Sequence, residues 1–280
     1  MLLISGRFVL ATAAVAALAL TPLPMARAQT PAAPAATAQA APSSAGPVDP
    51  ALIDDLVAAG RILVDQGVLD GFGHVSMRHP KDAGRFLMSR SLAPALVTPA
   101  DIVEHDLDGN GIDAKGRTLF LERFIHAEVY RARPDVKAVV HSHAPALIPF
   151  GITKVPLRPV YHNSAFLGAG VPIFEIRDKF GMTDMLVRNR EIGAALATVL
   201  GDKPALLMRG HGNVVVGPTI PMAVFRAVYT EVNARLQTQT AILGGPITFL
   251  EPEEAAKADK VNDVIHLRPW ELWKQKAMGK

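Results

Sequence analysis

The sequence contains no cysteine in its 280 residues. The fold therefore uses no disulfide bond, and thiolate metal sites and a cysteine nucleophile are both excluded. Any metal ion must be bound by histidine, aspartate or glutamate side chains.

Dense runs of like charge are also lacking. Lys and Arg number 29 against 26 Asp and Glu, a net charge of +3, and they are scattered along the chain. No stretch could follow a phosphate backbone, so a small-molecule substrate is expected and a nucleic-acid partner is not. With 49% hydrophobic and 20% charged residues the composition is that of a globular protein, and it contains no internal repeat.

The apolar run near the N-terminus is short. It covers residues 8–20, follows one positive charge at Arg7, and precedes two prolines and several small residues. A membrane-spanning helix needs about 18 apolar residues, whereas this layout is typical of a secretory signal. We therefore expect a signal peptide over 1–28, cleaved after Ala28, and a periplasmic or secreted product with no membrane contact after cleavage.

A compositional change separates this signal from the folded part. Residues 29–48 are almost entirely Ala, Pro, Ser, Thr, Gln and Gly, which bury too little apolar surface to order a chain, so we expect a flexible linker. One catalytic domain is expected over 49–280.

Hydrophobic periodicity and Gly/Pro punctuation predict helices and strands within this domain. The expected helices cover 50–67, 120–132, 189–200 and 222–241, and the expected strands cover 74–78, 85–89, 136–143 and 205–208. This order predicts a mixed α/β fold with a largely antiparallel central sheet covered by helices. In the tail, the helical spacing of Trp270 and Trp273 predicts packing anchors across a subunit boundary.

Two histidines end an apolar strand in the segment AVVHSHA. His141 and His143 are one residue apart, so the two-residue period of a strand points both imidazoles the same way and makes a seat for a divalent metal. A pair of hydrogen-bonded histidines at a strand end is the alternative. A third candidate ligand, His211, lies between two glycines that permit a tight turn directly after another apolar strand.

A carboxylate precedes the His-Ser-His strand. Glu122 and His126 are four residues apart on one face of the expected helix, where Glu122 could bind the metal or transfer a proton. A solvated pair on a helix surface is the alternative.

In this order, GFGHVSMR, VTPADIVEHDLDGNG, the Glu122/His126 pair, RPDVKAVVHSHA and RGHGNVVVG resemble the class II aldolase/adducin family over roughly residues 49–241. The resemblance implies a three-layer αβα fold, a homotetramer, and a divalent metal bound by His141, His143 and His211. It also implies that Glu122 is the acid/base and a possible fourth ligand. Zinc is expected, with manganese, magnesium, iron or cobalt as alternatives.

The departures from the family pattern concern the substrate. Sugar-phosphate members have Gly-Asn where this chain has Gly73-His74, and two small hydroxyl residues where it has Phe120 and Leu121. The phosphate cradle is therefore altered, and the GHVS and PVYHNSAFLG segments are more similar to the branch with decarboxylases of hydroxylated aromatic acids.

The expected substrate is thus a non-phosphorylated hydroxy-carbonyl or hydroxy-aromatic acid, and several side chains are candidates for contacting it. His74, Ser76 and Arg78 share one side of a strand and could hold a carboxylate, although polarity at a strand edge explains them equally. His162 could also bind substrate. Tyr161 is a candidate proton donor or else a packing residue.

The expected reaction is carbon–carbon bond cleavage, by aldol cleavage or decarboxylation, through a metal-stabilised enolate. A metal-dependent oxygenase is an alternative because three histidines also suit that chemistry. A non-catalytic, adducin-like assembly module is a second alternative, although such a module needs no metal ligands.

Overall fold

The computed structural model describes residues 43–279. The predicted signal peptide and most of the predicted linker therefore lie outside the described residues. The first helix, α1 (Pro50–Asp65), begins with a proline and is capped by Asp49, whose carboxylate accepts the Ala51 N–H at 2.9 Å. Gly67, with φ +71°, turns the chain away after it.

Eight strands form one sheet. They are β1 (His74–Arg78), β2 (Arg85–Ser89), β3 (Ile102–Asp106), β4 (Gly111–Ile112), β5 (Ala138–Ser142), β6 (Ile173–Phe174), β7 (Ala205–Met208) and β8 (Gly212–Gly217). Their order across the sheet is β4-β3-β2-β1-β5-β8-β7-β6. Every pairing is antiparallel except β6 with β7, which confirms the largely antiparallel sheet.

Seven further α-helices accompany the sheet. They are α2 (Arg123–Ala132), α3 (Ile148–Ile152), α4 (Arg177–Phe180), α5 (Arg190–Leu200), α6 (Ile220–Leu243), α7 (Pro252–Ile265) and α8 (Leu267–Ala277), counted within residues 43–279. Short 3₁₀ turns cover Pro94–Leu96, Pro99–Asp101, Pro145–Leu147 and His162–Ala169.

The two faces of the sheet carry separate apolar cores. Because side chains alternate along a strand, Val75 and Met77 of β1 pack with α1, α6 and α8 on one face. Residues such as Phe86 and Val139 pack with α2 and α5 on the other face. This confirms the three-layer αβα architecture, and it places His74, Ser76 and His141 on the face covered by α2.

Two expectations about helices differ from the structure. Helix α2 begins at Arg123 instead of residue 120, so Glu122 is the residue that precedes the helix. The prediction of tryptophan anchors across a subunit boundary is wrong: Trp270 and Trp273 are 3% and 8% exposed and belong to the core formed by α1, α6 and α8 of the same chain.

The last residues of the predicted linker contact the sheet. The Ser44 hydroxyl and the Ala45 N–H both donate to the Glu104 carboxylate, at 2.5 and 2.9 Å, and the Lys81 ammonium donates to the Pro47 carbonyl at 2.6 Å. Across residues 43–279, none of the helices is both long and apolar enough to cross a bilayer.

Candidate metal centre and active-site cleft

Neighbouring strands bring the three predicted metal ligands together. His141 lies near the end of β5, His143 follows that strand, and His211 occupies the tight turn between β7 and β8. Since β5 pairs with β8 and β8 pairs with β7, residues about 70 positions apart in sequence meet at the same end of these three strands. The Nε2 atom of His143 lies 3.2 Å from Nε2 of His141 and 3.1 Å from Nε2 of His211.

Glu122 completes this cluster. Its Oε2 atom lies 3.4 Å from Nε2 of both His141 and His211, while its Oε1 atom accepts the Val187 N–H at 2.9 Å. One ligand atom from each of the four residues lies within 4.8 Å of the other three. The N-terminus of α2, which directly follows Glu122, adds a positive partial charge that favours the carboxylate.

The hydrogen bonds made by the Nδ1 atoms of His141 and His211 determine whether the cluster can bind a cation. Nδ1 of His141 lies 3.0 Å from the Asn213 carbonyl, and Nδ1 of His211 lies 2.9 Å from the Met185 carbonyl. A carbonyl only accepts, so both Nδ1 atoms carry the proton and both neutral rings present an Nε2 lone pair to the cluster.

These lone pairs converge with the Glu122 carboxylate and the third imidazole. Without a cation they repel one another, whereas a tetrahedral metal with ligand distances of about 2.0–2.1 Å places its ligand atoms roughly 3.3–3.5 Å apart. Four of the separations between ligand atoms, at 3.1–3.4 Å, are close to that spacing, and all four ligand atoms lie within 4.8 Å of one another. The residues therefore fit a divalent metal ion.

The acid–base properties of the cluster reflect burial and close charges. Burial opposes ionisation of Glu122, but hydrogen bonds and charge from His141 and His211 hold its pKa well below its usual range. Burial, with His141 and His211 nearby, lowers the pKa of His143 to about 4. Burial alone would lower the pKa of His211, yet Glu122 raises it. The site thus favours an anionic Glu122 beside a neutral His143, and a bound divalent ion would displace the second proton that Glu122 favours on His211.

Two glycines permit the close backbone approach that this geometry needs. A Cβ at Gly212 would lie 2.0 Å from the Ser142 carbonyl oxygen. Gly73 has φ +85°, and a Cβ there would lie 2.9 Å from the His141 carbonyl oxygen. Any larger residue at either position would push apart the strands that carry the ligands.

A cleft of about 550 Å³ opens beside the cluster. Glu122, His143 and His74 contribute polar atoms to its wall, and most of the other lining side chains are apolar, including Phe72, Phe120, Leu121 and Leu186. None of the described residues that line it is lysine or arginine. Phe120 packs on the His74 ring with centroids 4.5 Å apart, so two departures from the sugar-phosphate pattern lie next to each other in this wall.

The predicted substrate contacts on β1 occupy different places. His74 reaches the cleft, and Ser76 is fully buried against His126 and Tyr130. Arg78 donates four hydrogen bonds of 2.5–2.9 Å to backbone carbonyl oxygens of Ala83, Tyr130, Arg133 and Val136. The structure therefore brings His74 to the site, whereas Arg78 joins loops behind it.

The structure does not bring Tyr161 or His162 to the cluster. Tyr161 packs against Tyr229 of α6, and among the described residues its buried hydroxyl has no hydrogen-bond partner. Burial raises the pKa of Tyr161, with Tyr229 adding to the effect. His162 is exposed, and its backbone carbonyl accepts a hydrogen bond from Asn262 of α7.

Sequence reasoning missed the groups that orient the ligands. They are the Asn213 and Met185 carbonyls and the Val187 N–H, all of them main-chain atoms. Met185 has φ +70°, uncommon for a residue with a side chain, and this conformation belongs to the loop that supplies two of the three contacts. Main-chain contacts leave no side-chain motif, so only the turn residues around position 185 could have drawn attention to this loop.

Comparison with known proteins agrees with this geometry. Residues 54–238 match the family model described as the Class II Aldolase and Adducin N-terminal domain. The chain is 38% identical to the decarboxylase tropJ of Talaromyces stipitatus over 240 residues, covering 78% of this chain and 90% of that protein. It is 30% identical to a 3,4-dihydroxyphthalate decarboxylase of Arthrobacter keyseri over 217 residues, covering 72% and 84%. The solved L-fuculose 1-phosphate aldolase of Glaciozyma antarctica shares its fold, with a TM-score of 0.68, 24% identity and coverage of 84% and 96%.

Proposed function

Because the chain belongs to the class II aldolase and adducin family, we propose that it is a metal-dependent carbon–carbon lyase that removes carbon dioxide from a hydroxylated aromatic acid. Three relatives with at least 30% identity carry decarboxylase names, and two of those names specify a dihydroxylated aromatic diacid. Such a substrate has adjacent oxygens for the cluster and a flat apolar ring.

The cleft carries this proposal. Its wall combines Phe72, Phe120, Leu121 and Leu186 with the polar cluster at one end, which suits a ring with oxygens on one edge. A sugar phosphate is polar throughout and relies on the amide and hydroxyl groups of the phosphate cradle, whereas Phe120 and Leu121 line this cleft where the sugar-phosphate pattern has hydroxyl residues.

The chemistry divides between the metal and Glu122. A divalent ion bound by His141, His143 and His211 would supply Lewis-acid stabilisation of negative charge on an oxygen next to the reacting carbon. Glu122 is anionic and fixed through Oε1 by the Val187 N–H, so Oε2 is held at the cluster to accept a proton from a substrate hydroxyl.

Proton and electron transfers then balance. Glu122 first transfers the proton it took from the hydroxyl to the neighbouring ring carbon that bears the carboxylate, so that carbon becomes tetrahedral and the hydroxyl becomes a ketone. The bond from that carbon to the carboxylate then breaks, carbon dioxide leaves, and the electron pair restores the aromatic ring with the negative charge on the neighbouring oxygen, which is reprotonated from water. A ring bound against Phe120 and Leu121 would displace water from this wall and strengthen the electrostatic interactions in the cleft.

A substrate panel tests the proposal. The zinc-loaded protein is incubated with 3,4-dihydroxyphthalate, other ortho-hydroxylated aromatic acids and L-fuculose 1-phosphate, while carbon dioxide, aldehyde and oxygen uptake are measured. We expect carbon dioxide from at least one aromatic acid, without oxygen uptake. Aldehyde from the sugar phosphate alone would point to an aldolase, and oxygen consumption would point to an oxygenase.

We further propose zinc as the native ion, a homotetrameric assembly and export after cleavage at Ala28. The nitrogen-rich donor set supports zinc. Metal analysis of protein from its native compartment tests the ion, analytical ultracentrifugation tests the assembly, and intact-mass measurement tests the cleavage point. A full-length chain in the cytoplasm would contradict export.

A further inference from the structure

Behind the cleft, four buried side chains form a continuous row of hydrogen bonds. The Tyr130 hydroxyl lies 2.8 Å from Ser76 Oγ, Ser76 Oγ lies 2.6 Å from His126 Nδ1, and His126 Nε2 lies 2.7 Å from His74 Nδ1. All four side chains are at most 5% exposed. We call this row the Tyr130–His74 chain.

Counting protons shows that the chain has one hydrogen to spare. Two neutral imidazoles, one hydroxyl and one phenol carry four polar hydrogens, and three links need only three of them. The imidazoles are neutral because both rings are buried and their hydrogen-bond partners are uncharged side chains, with no carboxylate among them to stabilise an imidazolium. The fourth hydrogen must therefore stand at one end, either on the Tyr130 oxygen or on His74 Nε2.

The two ends differ in what they meet. Among the described residues, Ser76 Oγ is the one acceptor near the Tyr130 hydroxyl, since the Val139 main-chain N–H can only donate, so a hydrogen pointing the other way would be buried without an acceptor. That arrangement carries the desolvation penalty of an unsatisfied buried donor. At the other end, His74 lines the cleft, and no described residue bonds to its Nε2 atom, so a hydrogen there can meet water or substrate.

The polarity of the chain follows from this difference. Tyr130 donates to Ser76, Ser76 donates to His126 Nδ1, and His126 donates from Nε2 to His74 Nδ1. We infer that Tyr130, Ser76 and His126 are positioning residues that hold His74 with its proton on Nε2, and that His74 donates this hydrogen to an oxygen of the bound substrate. The second half of this inference rests on the proposed function.

The position of His74 indicates which oxygen it contacts. It pairs in register with the metal ligand His141 on the adjacent strand, and the two rings are 5.1 Å apart. The donor therefore lies beside the metal cluster in an otherwise apolar wall. A ring with two adjacent oxygens can place one at the cluster and one at His74, whereas a ring with a single oxygen leaves one of these groups unpaired and binds less well.

The tautomer can be observed directly. In zinc-loaded protein labelled with [15N]histidine, long-range proton–nitrogen correlation spectra show which ring nitrogen is protonated, and signals lost in His74→Gln identify that ring. We expect protons on Nε2 of both His74 and His126. A proton on Nδ1 of His74 would overturn the inference, whatever the enzyme's reaction proves to be.

Substitution of His126 tests whether the chain acts on binding. His126→Met removes both hydrogen bonds, whereas His126→Gln keeps one donor and one acceptor. We expect His126→Met to weaken catechol binding by the zinc-loaded protein by about tenfold, the worth of one hydrogen bond, and His126→Gln to regain most of the loss. Zinc content should stay the same in both variants.

His105 offers the matched control. It is as buried as His126 and stacks on Phe86, which also stacks on His126, but it is not part of the Tyr130–His74 chain. His105→Met should leave catechol binding unchanged. Equal losses in folded His126→Met and His126→Gln would overturn the inference. If the variants change catechol binding as expected but the protein decarboxylates no aromatic acid, the proposed function is wrong and the tautomer assignment stands.

Discussion

Two groups of histidines lie side by side on one face of the sheet and do different things. His143 Nε2 lies 3.1–3.2 Å from Nε2 of His141 and of His211, and His126 Nε2 lies 2.7 Å from His74 Nδ1. In the first group, backbone carbonyls take the Nδ1 protons of His141 and His211, so lone pairs converge. In the second, every facing pair of atoms shares a proton. The two groups differ in whether a proton lies between the facing nitrogen atoms. The distance between the rings does not distinguish the candidate metal centre from the Tyr130–His74 chain.

Removing a member of the metal cluster should have the largest effect. His143→Ala deletes a ligand from a half-buried position, so we expect the fold to survive while zinc affinity falls by more than the ~10–100-fold typical of residues that only orient a ligand. Metal content after dialysis and thermal unfolding check this. Full zinc occupancy in the variant would show that His143 is not a ligand.

Replacing the carboxylate of Glu122 by an uncharged amide should have the second-largest effect. Glu122→Gln keeps an acceptor for the Val187 N–H but loses basicity, so turnover should fall on the order of a hundredfold with folding intact. Zinc occupancy must be measured in the same sample, because a parallel loss of metal would identify Glu122 as a ligand as well. Normal turnover with zinc bound would assign proton transfer to another group.

Substitution of Arg78, which lies behind the Tyr130–His74 chain, should have a smaller effect. Arg78→Met leaves four backbone carbonyls without their guanidinium donor, which should lower the free energy of unfolding by about 2 kcal/mol in urea denaturation. If Arg78 instead binds substrate, Arg78→Met should raise KM and leave the free energy of unfolding unchanged.

The smallest effect should come from losing the hydrogen bond between the Ser142 hydroxyl and Asn213 Oδ1, which lies beside the predicted metal ligands. Ser142→Ala removes the donor to Asn213 Oδ1 and leaves that buried oxygen unpaired, at about 1 kcal/mol of stability. Zinc affinity should change little, because His141 is oriented by the Asn213 main chain, which the substitution does not remove. A large drop in zinc content would mean that the side-chain bond fixes the strand.

Much of the sheet follows from local sequence. The strands over residues 74–78, 85–89 and 205–208 have the bounds predicted for them, because apolar alternation or an apolar run ends there at turn residues. Helix α2 starts late because the apolar pair Phe120 and Leu121 extends the helical pattern but lines the cleft instead. Helices α7 and α8 are too polar overall for periodicity to bound them, although the two tryptophans marked the second.

The candidate site was predictable only in part, for a related reason. Histidine spacing and glycines near residues 141 and 211 are local signals, and they indicated the cluster. The Tyr130–His74 chain joins side chains about 50 positions apart, and its direction depends on which atoms lack acceptors in three dimensions. Arg78 was misjudged in the same way, since its four acceptors are main-chain oxygens, and three of them are more than 50 positions away in sequence.

The central position of β5 has a consequence for the order in which the protein is assembled. This strand pairs with β1, which precedes it by more than 60 residues, and with β8, which follows it by about 70. Such long-range pairings slow folding because the intervening loops must close first. The predicted metal ligands come together only once both pairings have formed, so we expect bound metal to slow unfolding more than it speeds refolding.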